Sequence, residues 1–152
     1  YSDVVLMAAE AYNETGTDRQ KAWDLLNSVR TRAEATSITE ANYDEMMSAR
    51  KKTHNLTFID DSTPEGKFRT ALYWERGFEL AFEGQRKYDL IRWGVLGKAL
   101  KLFGEISSVN QKENKPYPAY RNFTEGKHEL FPIPLKEIQS NPKLNGMNNN
   151  GY

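Results

Sequence analysis

The chain contains no cysteine, which excludes a catalytic thiol, a cysteine-ligated metal and disulfide bonds. Its 21 basic residues do not outnumber its 21 acidic residues, so the net charge is zero. A nucleic-acid-binding protein needs a basic surplus to displace counterions from phosphates, and the balance argues against that class. No window approaches the ~20 apolar residues of a membrane-spanning helix. Nothing at the start resembles a signal peptide, which predicts a processed or truncated chain.

The sequence also lacks the common motifs of metal, nucleotide and hydrolase sites. His54 and His128 are the only histidines, and neither has a ligand-type partner three or four residues away along a helix. No G-x-S-x-G, Walker A or G-x-G-x-x-G motif occurs. We therefore expect no metal and no other cofactor. With 152 residues, the chain can bury enough surface to fold without either.

Helical periodicity dominates the first part of the chain. Residues 3–12 are apolar nearly all round and predict a buried helix. Gly16 suits a C-terminal cap, and residues 17–20 form a capping-box pattern that opens a second helix. That second helix carries one apolar stripe at helical spacing, made of Ala22, Leu25, Leu26, Val29 and Ala33. Two helices joined by a tight turn predict an αα-hairpin similar to a tetratricopeptide unit.

Further helices are predicted downstream. A short helix spans Glu40 to about Lys52, and Thr63-Pro64 is a strong start signal for a long helical pattern that runs toward Trp93. Gly84 or Gly94 is expected to bend or end that helix. Its apolar stripe comprises Ala71, Trp74, Phe78, Ala81 and Phe82, and both Trp74 and Trp93 are expected in the core. Residues 98–103 supply another short helical piece.

A line of acidic residues, Glu75, Glu79 and Glu83, allows two interpretations. Two carboxylates about 5–10 Å apart are what glycoside hydrolysis needs. Arginines in the same segment instead favour an ion-pair network that orients packed helices. A buried carboxylate beside arginines has a lowered pKa, which is the wrong direction for a general acid. The structural interpretation is the stronger one.

Two polar segments, 53–62 and 104–127, are predicted as loops without helical period. The second is longer than ordinary connections and is rich in rings, which favours a functional role. Sugars stack their apolar faces on such rings while polar side chains reach the hydroxyl groups. The candidate ligand-binding residues are Tyr117, Tyr120, Arg121, Asn122 and Phe123, facing Phe58, Asp60 and Asp61 of the first loop. The alternative is that each ring pins its loop to the core. The asparagine-rich end is predicted as an irregular tail.

Four stretches follow one another along the chain: YSDVVLMAAEAY, LLNSVRTRAEA, ERGFELAFEGQRKYDLIRWG and LFPIPLKEIQSNPKLNGMNNNGY. Together and in this order they resemble the SusD/RagB family of outer-membrane nutrient-binding lipoproteins. The ending Asn-Asn-Asn-Gly-Tyr replaces the family's usual Gln-Asn-Pro-Gly-aromatic. Family members are about three times longer, so the resemblance implies that residues 1–152 are the C-terminal portion of a single SusD-like domain.

The resemblance implies a mainly α fold, with tetratricopeptide-type hairpins, long irregular loops and little or no sheet. It also implies a non-catalytic receptor on the extracellular face of the outer membrane. Such a receptor captures oligosaccharides or another nutrient and covers a SusC-like TonB-dependent transporter. Its membrane attachment is a lipid anchor on the N-terminal portion. The family's helix-packing motif falls on Glu75, Arg76, Glu79, Glu83, Arg86, Asp89, Arg92 and Trp93, outside the ligand site.

Two other functions remain open at this point. The helical hairpin is compatible with a tetratricopeptide-like adaptor that binds another protein. The carboxylate line is compatible with a fragment of an all-α glycoside hydrolase.

Overall fold

The computed structural model describes residues 1–53, 56–110 and 118–152, and it describes side chains for 1–53, 56–105 and 119–152. Within these ranges the chain is helical and contains no strand, so the predicted mainly α fold is confirmed. It divides into two compact units, Tyr1–Tyr88 and Asp89–Tyr152. The helices are α1 (Ser2–Thr15), α2 (Arg19–Arg32), α3 (Tyr43–Thr53), α4 (Pro64–Glu79), α5 (Arg86–Arg92), α6 (Leu96–Asn110), α7 (Pro118–Arg121), α8 (Leu135–Ser140) and a 3-10 turn, Pro142–Leu144.

The first two helices form the predicted αα-hairpin. Gly16 ends α1 in the left-handed conformation, at φ +64°, and its N–H donates to the carbonyl of Asn13 at 3.2 Å. The cap of α2 is Asp18, whose carboxylate accepts from the backbone N–H of Lys21 at 2.9 Å. The start signal at residues 17–20 is therefore confirmed, with the second residue of the pattern as the cap.

The core of the first unit lies between α1, α2 and α4. Trp23 of α2 and Phe68 of α4 meet edge to face, with ring centroids 4.9 Å apart. The prediction that α1 is buried all round is wrong, because Val4 is 62% exposed and Met7 is also exposed. Helices α2 and α4 pack against α1, whose buried residues are Leu6, Ala9 and Asn13.

The start of α4 is as predicted. Thr63 caps the helix by accepting from the N–H of Gly66 at 3.1 Å, and Pro64 occupies the first helical position. Gly66 is needed there, because a Cβ at this position would lie 1.6 Å from the carbonyl oxygen of Asp60. The loop before α4 therefore lies directly against the first turn of the helix.

The predicted long helix toward Trp93 is interrupted, because α4 ends at Glu79 and α5 begins at Arg86. Phe82 and Gly84 both have positive φ, +68° and +75°, which is incompatible with a continuing helix. Phe82 therefore leaves the apolar stripe and is fully exposed. Phe78 is 54% exposed, and Trp74 and Trp93 are only half-buried, so the predicted core positions are wrong there.

In the second unit, α6 continues past the predicted end of helical periodicity at Gly104 to Asn110. Gly104 is buried, and the ring of Tyr120 packs over it. That packing offsets the ~1 kcal/mol by which glycine disfavours a helix. The prediction of a non-helical loop from 104 is therefore wrong, and Tyr117, predicted in the same loop, lies outside the described residues.

The asparagine-rich end contains no helix or strand after Leu144, as predicted for an irregular tail, and hydrogen bonds hold it in place. Asn148 accepts from the N–H of Ile133 at 2.7 Å and donates to the carbonyl of the same residue at 3.3 Å. Asn149 donates to the carbonyl of Phe131 at 2.6 Å, and the hydroxyl of Tyr152 donates to the carbonyl of Leu130 at 3.1 Å. Side-chain amides thus pair with the extended Pro-Ile-Pro backbone, which proline keeps from helical pairing.

Candidate functional site

The second unit contains a cleft of about 400 Å³ between α5, α6, α7 and the turn that follows α7. Its apolar wall comes from α5 and the start of α6, through Leu90, Ile91 and Leu96. This volume lies at the lower end of the roughly 300–1,000 Å³ typical of ligand pockets. The cleft is the candidate functional site.

Two aromatic rings line this cleft and pack against glycines of α6. A Cβ on Gly97 would lie 2.7 Å from Cε1 of Phe123, and a Cβ on Gly104 would lie 3.2 Å from Cδ1 of Tyr120. These glycines are two helical turns apart and thus share one face of α6. The absence of side chains at both positions lets the rings approach the helix backbone.

The turn after α7 positions one ring and one carboxylate of the cleft. The N–H of Thr124 donates to Nδ1 of His128 at 2.7 Å, and the N–H of His128 returns a bond to the carbonyl of Thr124 at 3.1 Å. The His128 ring also contacts Phe123, with centroids 6.1 Å apart. This closed turn holds Phe123 and Glu129 at the cleft.

The polar lining of the cleft carries balanced charge. Lys98 and Lys101 lie one turn apart on α6, and Glu125 and Glu129 follow α7. Both lysines and Glu125 are exposed, whereas the Oε2 atom of Glu129 is buried and has no hydrogen-bond partner among the described residues. A buried acceptor without a donor is unfavourable, which marks Glu129 as the polar group that a ligand would satisfy.

The structure brings together only some of the predicted ligand-binding residues. Tyr120 and Phe123 line the cleft, whereas Arg121 and Asn122 are exposed and do not belong to its described lining. The packing of both rings on α6 is also the contact that a loop anchor makes. Sequence reasoning missed Leu90, Ile91 and the two lysines because they come from segments that were assigned to helix. Glu125 lies in the predicted loop 104–127 and Glu129 just after it, but neither glutamate was singled out.

Phe58 and Asp60, predicted for the same site, lie in the other unit. Phe58 is half-buried and meets Tyr73 edge to face, with ring centroids 6.0 Å apart. Asp60 accepts from the N–H of Ser62 at 2.9 Å. Hydrogen bonds from the Ser62 hydroxyl and then from its backbone lower the pKa of Asp60. The neighbouring Asp61 accepts from the Tyr43 hydroxyl at 2.8 Å.

The line of charged residues on α4 forms ion pairs with α1 and α2. Glu75 pairs with Arg30 at 2.5 Å, and both residues are buried. Arg76, also buried, pairs with Asp3 at 2.7 Å. Glu79 pairs with Arg32. Because Glu75 and Glu79 each bind an arginine, these contacts join helices and do not present two free acids to a substrate.

The remaining residues of the predicted packing motif lie around α5. Arg86 donates to the carbonyl of Tyr73 at 2.8 Å, and its guanidinium lies 3.8 Å from the centroid of that ring. Arg86 also lies over Gly77, where a Cβ would come within 3.4 Å of its Cζ. The other contacts are an Asp89–Arg92 ion pair of 3.0 Å and the Arg92 guanidinium over the Trp93 ring; Glu83 is exposed in the preceding turn.

The described part of the chain lacks a metal-ligand cluster and a membrane-spanning helix. No group of three or more histidine, aspartate or glutamate side chains there is arranged to hold a metal ion. No helix among the described residues has the length and hydropathy needed to cross a membrane.

Over the described residues, the α1–α2 hairpin and the ion-paired helices define a mainly α protein with a tetratricopeptide-like unit. A family model described as the SusD family matches residues 1–152, and the chain belongs to that family. The resemblance seen in the sequence is thereby confirmed.

Three relatives come from Formosa agariphila. SusD-like protein P25 is 37% identical over 99% of this chain and 24% of its own length. SusD-like protein P2 is 32% identical over 100% of this chain and 25% of its own length. SusD-like protein P38 is 25% identical over 95% of this chain and 22% of its own length. The chain thus spans about a quarter of the relatives it matches. No solved structure gives a significant match.

Proposed function

We propose that this chain is part of a cell-surface receptor that binds oligosaccharides and passes them to a SusC-like TonB-dependent transporter in the outer membrane. Membership of the SusD family over all 152 residues is the observation that carries this proposal. The receptor acts at the extracellular face and is held there by a lipid anchor outside these residues. Its ligand is a glycan or a related nutrient.

The contacts of the acidic line support a receptor over a hydrolase. A retaining or inverting glycosidase needs two carboxyl groups that face the scissile bond, one of them protonated. Glu75 is instead buried against Arg30, and Glu79 is bound to Arg32. Each of these two carboxylates is thus engaged by an arginine of α2, and the pair does not face a space for a scissile bond as two free acids.

The cleft in the second unit supports a ligand site that involves Tyr120 and Phe123. Rings held against a helix lose little freedom when a ligand stacks on them, so more of the contact energy appears as affinity. Arg121 and Asn122 follow directly and are exposed, so they are available to the part of a glycan that extends beyond the cleft. Tyr117 remains a candidate from the sequence only.

A glycan array with the complete protein tests this function. The expected result is binding to one group of related oligosaccharides, with no rise in reducing ends after prolonged incubation. A rise in reducing ends would make the protein a glycoside hydrolase. Absence of glycan binding combined with specific capture of one protein would favour the tetratricopeptide-like adaptor that the α1–α2 hairpin allows.

A further inference from the structure

We infer that the cleft of the second unit binds one uncharged sugar residue, whose hydroxyl group donates a hydrogen bond to Oε2 of Glu129. This inference rests on the proposed function for the saccharide class of the ligand. It adds the place where an uncharged sugar residue binds and the atom that accepts a hydrogen bond from its hydroxyl group.

The Oε2 atom of Glu129 is buried and lacks a hydrogen-bond donor among the described residues. An ionised carboxylate can only accept hydrogen bonds, so its buried Oε2 requires a donor. The described residues supply none to this atom, although it lies at a cleft large enough for a ligand. A sugar hydroxyl is a donor that enters without bringing a charge into the cleft.

The apolar lining of the cleft suits the C–H face of a sugar ring. Leu90 and Leu96 are buried at one wall, and the rings of Phe123 and Tyr120 line the cleft from the side of α7. A pyranose presents a face of C–H groups to such surfaces and hydroxyl groups at its edge. The cleft combines both kinds of surface around one buried acceptor.

The positive and negative side chains in the lining of the cleft are equal in number. Two lysines, Lys98 and Lys101, and two glutamates, Glu125 and Glu129, belong to the same lining. The lining carries no net charge, so a uronic acid drawn to the lysines would also be repelled by the glutamates, and an amino sugar drawn to the glutamates would be repelled by the lysines. Hydroxyl groups both donate and accept, so an uncharged sugar can satisfy both pairs at once.

Isothermal titration of the complete protein tests this inference. The uncharged probes are maltohexaose, xylohexaose and mannohexaose, and the charged probes are hexameric glucosamine and hexameric galacturonate. Glu129→Gln keeps the size of the side chain and removes one acceptor, so we expect binding of an uncharged probe to weaken about tenfold. The matched control is Glu137→Gln in α8, outside the cleft lining, which should leave affinity within about twofold.

A thermal melt of each variant separates binding from folding. Glu129→Gln removes a buried, unpaired carboxylate oxygen, so its melting temperature should not fall. If this variant nevertheless fails to fold, Glu129→Asp retains the charge, withdraws the oxygen by one methylene group and should weaken the same probe.

The outcomes distinguish this inference from the function on which it rests. An uncharged probe that binds Glu129→Gln as tightly as the unaltered protein overturns the inference and leaves the receptor function intact. Binding of only charged hexamers, or only of a peptide pool run in parallel, overturns the uncharged-sugar assignment. If none of these probes and no glycan on the array binds, the inference and the proposed function are both rejected.

Discussion

Glu75 of α4 and Arg30 of α2 form an ion pair of 2.5 Å, with only 5% and 7% of the two residues exposed. Arg30 also donates through Nε to the carbonyl of Thr36 at 2.8 Å. One guanidinium therefore joins α4 to α2 and to the segment after α2. Both charges have lost their water, so the energy of each depends on the presence of the other.

We predict that Glu75→Ala lowers the free energy of unfolding by about 3–5 kcal/mol, because it leaves a buried guanidinium without its carboxylate. Glu79→Ala is the matched control. Its partner Arg32 is 62% exposed, so that variant should lose at most about 1 kcal/mol. Urea denaturation measures both values. Equal losses of stability in the two variants would contradict the conclusion that Glu75–Arg30 is the more deeply buried of the two ion pairs.

A second prediction concerns the close contact between α6 and Phe123. Gly97→Ala should destabilise the protein by about 1–3 kcal/mol, because the new Cβ would lie 2.7 Å from the ring. Removing the Phe123 ring should reverse the sign of the effect of Gly97→Ala on stability. In a Phe123→Ala background, Gly97→Ala should stabilise by up to ~1 kcal/mol through helix propensity. A double-mutant cycle by thermal denaturation measures this coupling, and simple additivity would show that the ring does not press on the glycine.

Much of the helical framework could be predicted from local signals. Thr63-Pro64 starts α4 and Gly16 ends α1, because caps and backbone conformations are set by neighbouring residues. A break at Gly84 was predicted, but not that α4 would already end at Glu79, since the apolar spacing continues through Phe82 even though that residue has a positive φ. Apolar periodicity identifies the face of a helix that can be buried, but not which other element covers it. Val4 is exposed for that reason.

The ordered end of the chain provides a third prediction. Asn148→Ala removes both hydrogen bonds to the backbone of Ile133 and should cost about 1–2 kcal/mol. Asn148→Asp keeps the acceptor for the Ile133 N–H but not the donor. Amide hydrogen exchange at Ile133 should therefore accelerate strongly in the alanine variant and only slightly in the aspartate variant. Unchanged exchange in Asn148→Ala would show that the amide does not hold this segment.

Acid sensitivity is a fourth prediction, and it concerns Glu14 and Arg69. Both guanidinium nitrogens that face Glu14 donate to its carboxylate, at 2.7 and 2.5 Å, and join α1 to α4. The hydrogen bonds from Arg69 lower the pKa of Glu14 below its ordinary 4.5, partial burial opposes this, and Asn13 adds to it. The resulting stability is fully present above pH 4.5 and is lost as the pH falls through the lowered value.

Arg69→Gln should remove that contribution and flatten the acid limb of the stability curve. The expected difference is under about 1 kcal/mol, since the Glu14 side chain is 41% exposed and the pair is screened by solvent. Unfolding free energies at neutral pH and near pH 3 measure it. A variant with the same acid dependence as the unaltered protein would refute the role of this pair.

The fifth prediction separates two roles of Tyr120. Tyr120→Leu keeps an apolar contact on Gly104 but loses the flat ring, so oligosaccharide affinity should fall by about 1 kcal/mol with little change in melting temperature. Tyr120→Ala loses both contacts and should lower affinity and melting temperature together. Titration and melting of the two variants decide the matter. Full affinity in Tyr120→Leu would make the ring a loop anchor with no ligand contact.

The candidate site could be predicted only in part from the sequence. Ring content identified Tyr120 and Phe123, which do line the cleft. The sequence did not indicate that these rings pack on Gly97 and Gly104 of α6. A glycine in a helical pattern suggests the end of a helix and not a position against which an aromatic ring packs. Glu129 was missed because an isolated glutamate carries no pattern, and its importance comes only from the surroundings of one oxygen.

The distribution of the three tryptophans gives each unit its own optical signal. Trp23 and Trp74 belong to Tyr1–Tyr88, whereas Trp93 belongs to Asp89–Tyr152. Replacing the first two by phenylalanine leaves indole fluorescence that comes entirely from the second unit, and replacing Trp93 leaves fluorescence from the first. The emission of these two variants during denaturation thus reports whether the units melt as one cooperative transition or as two.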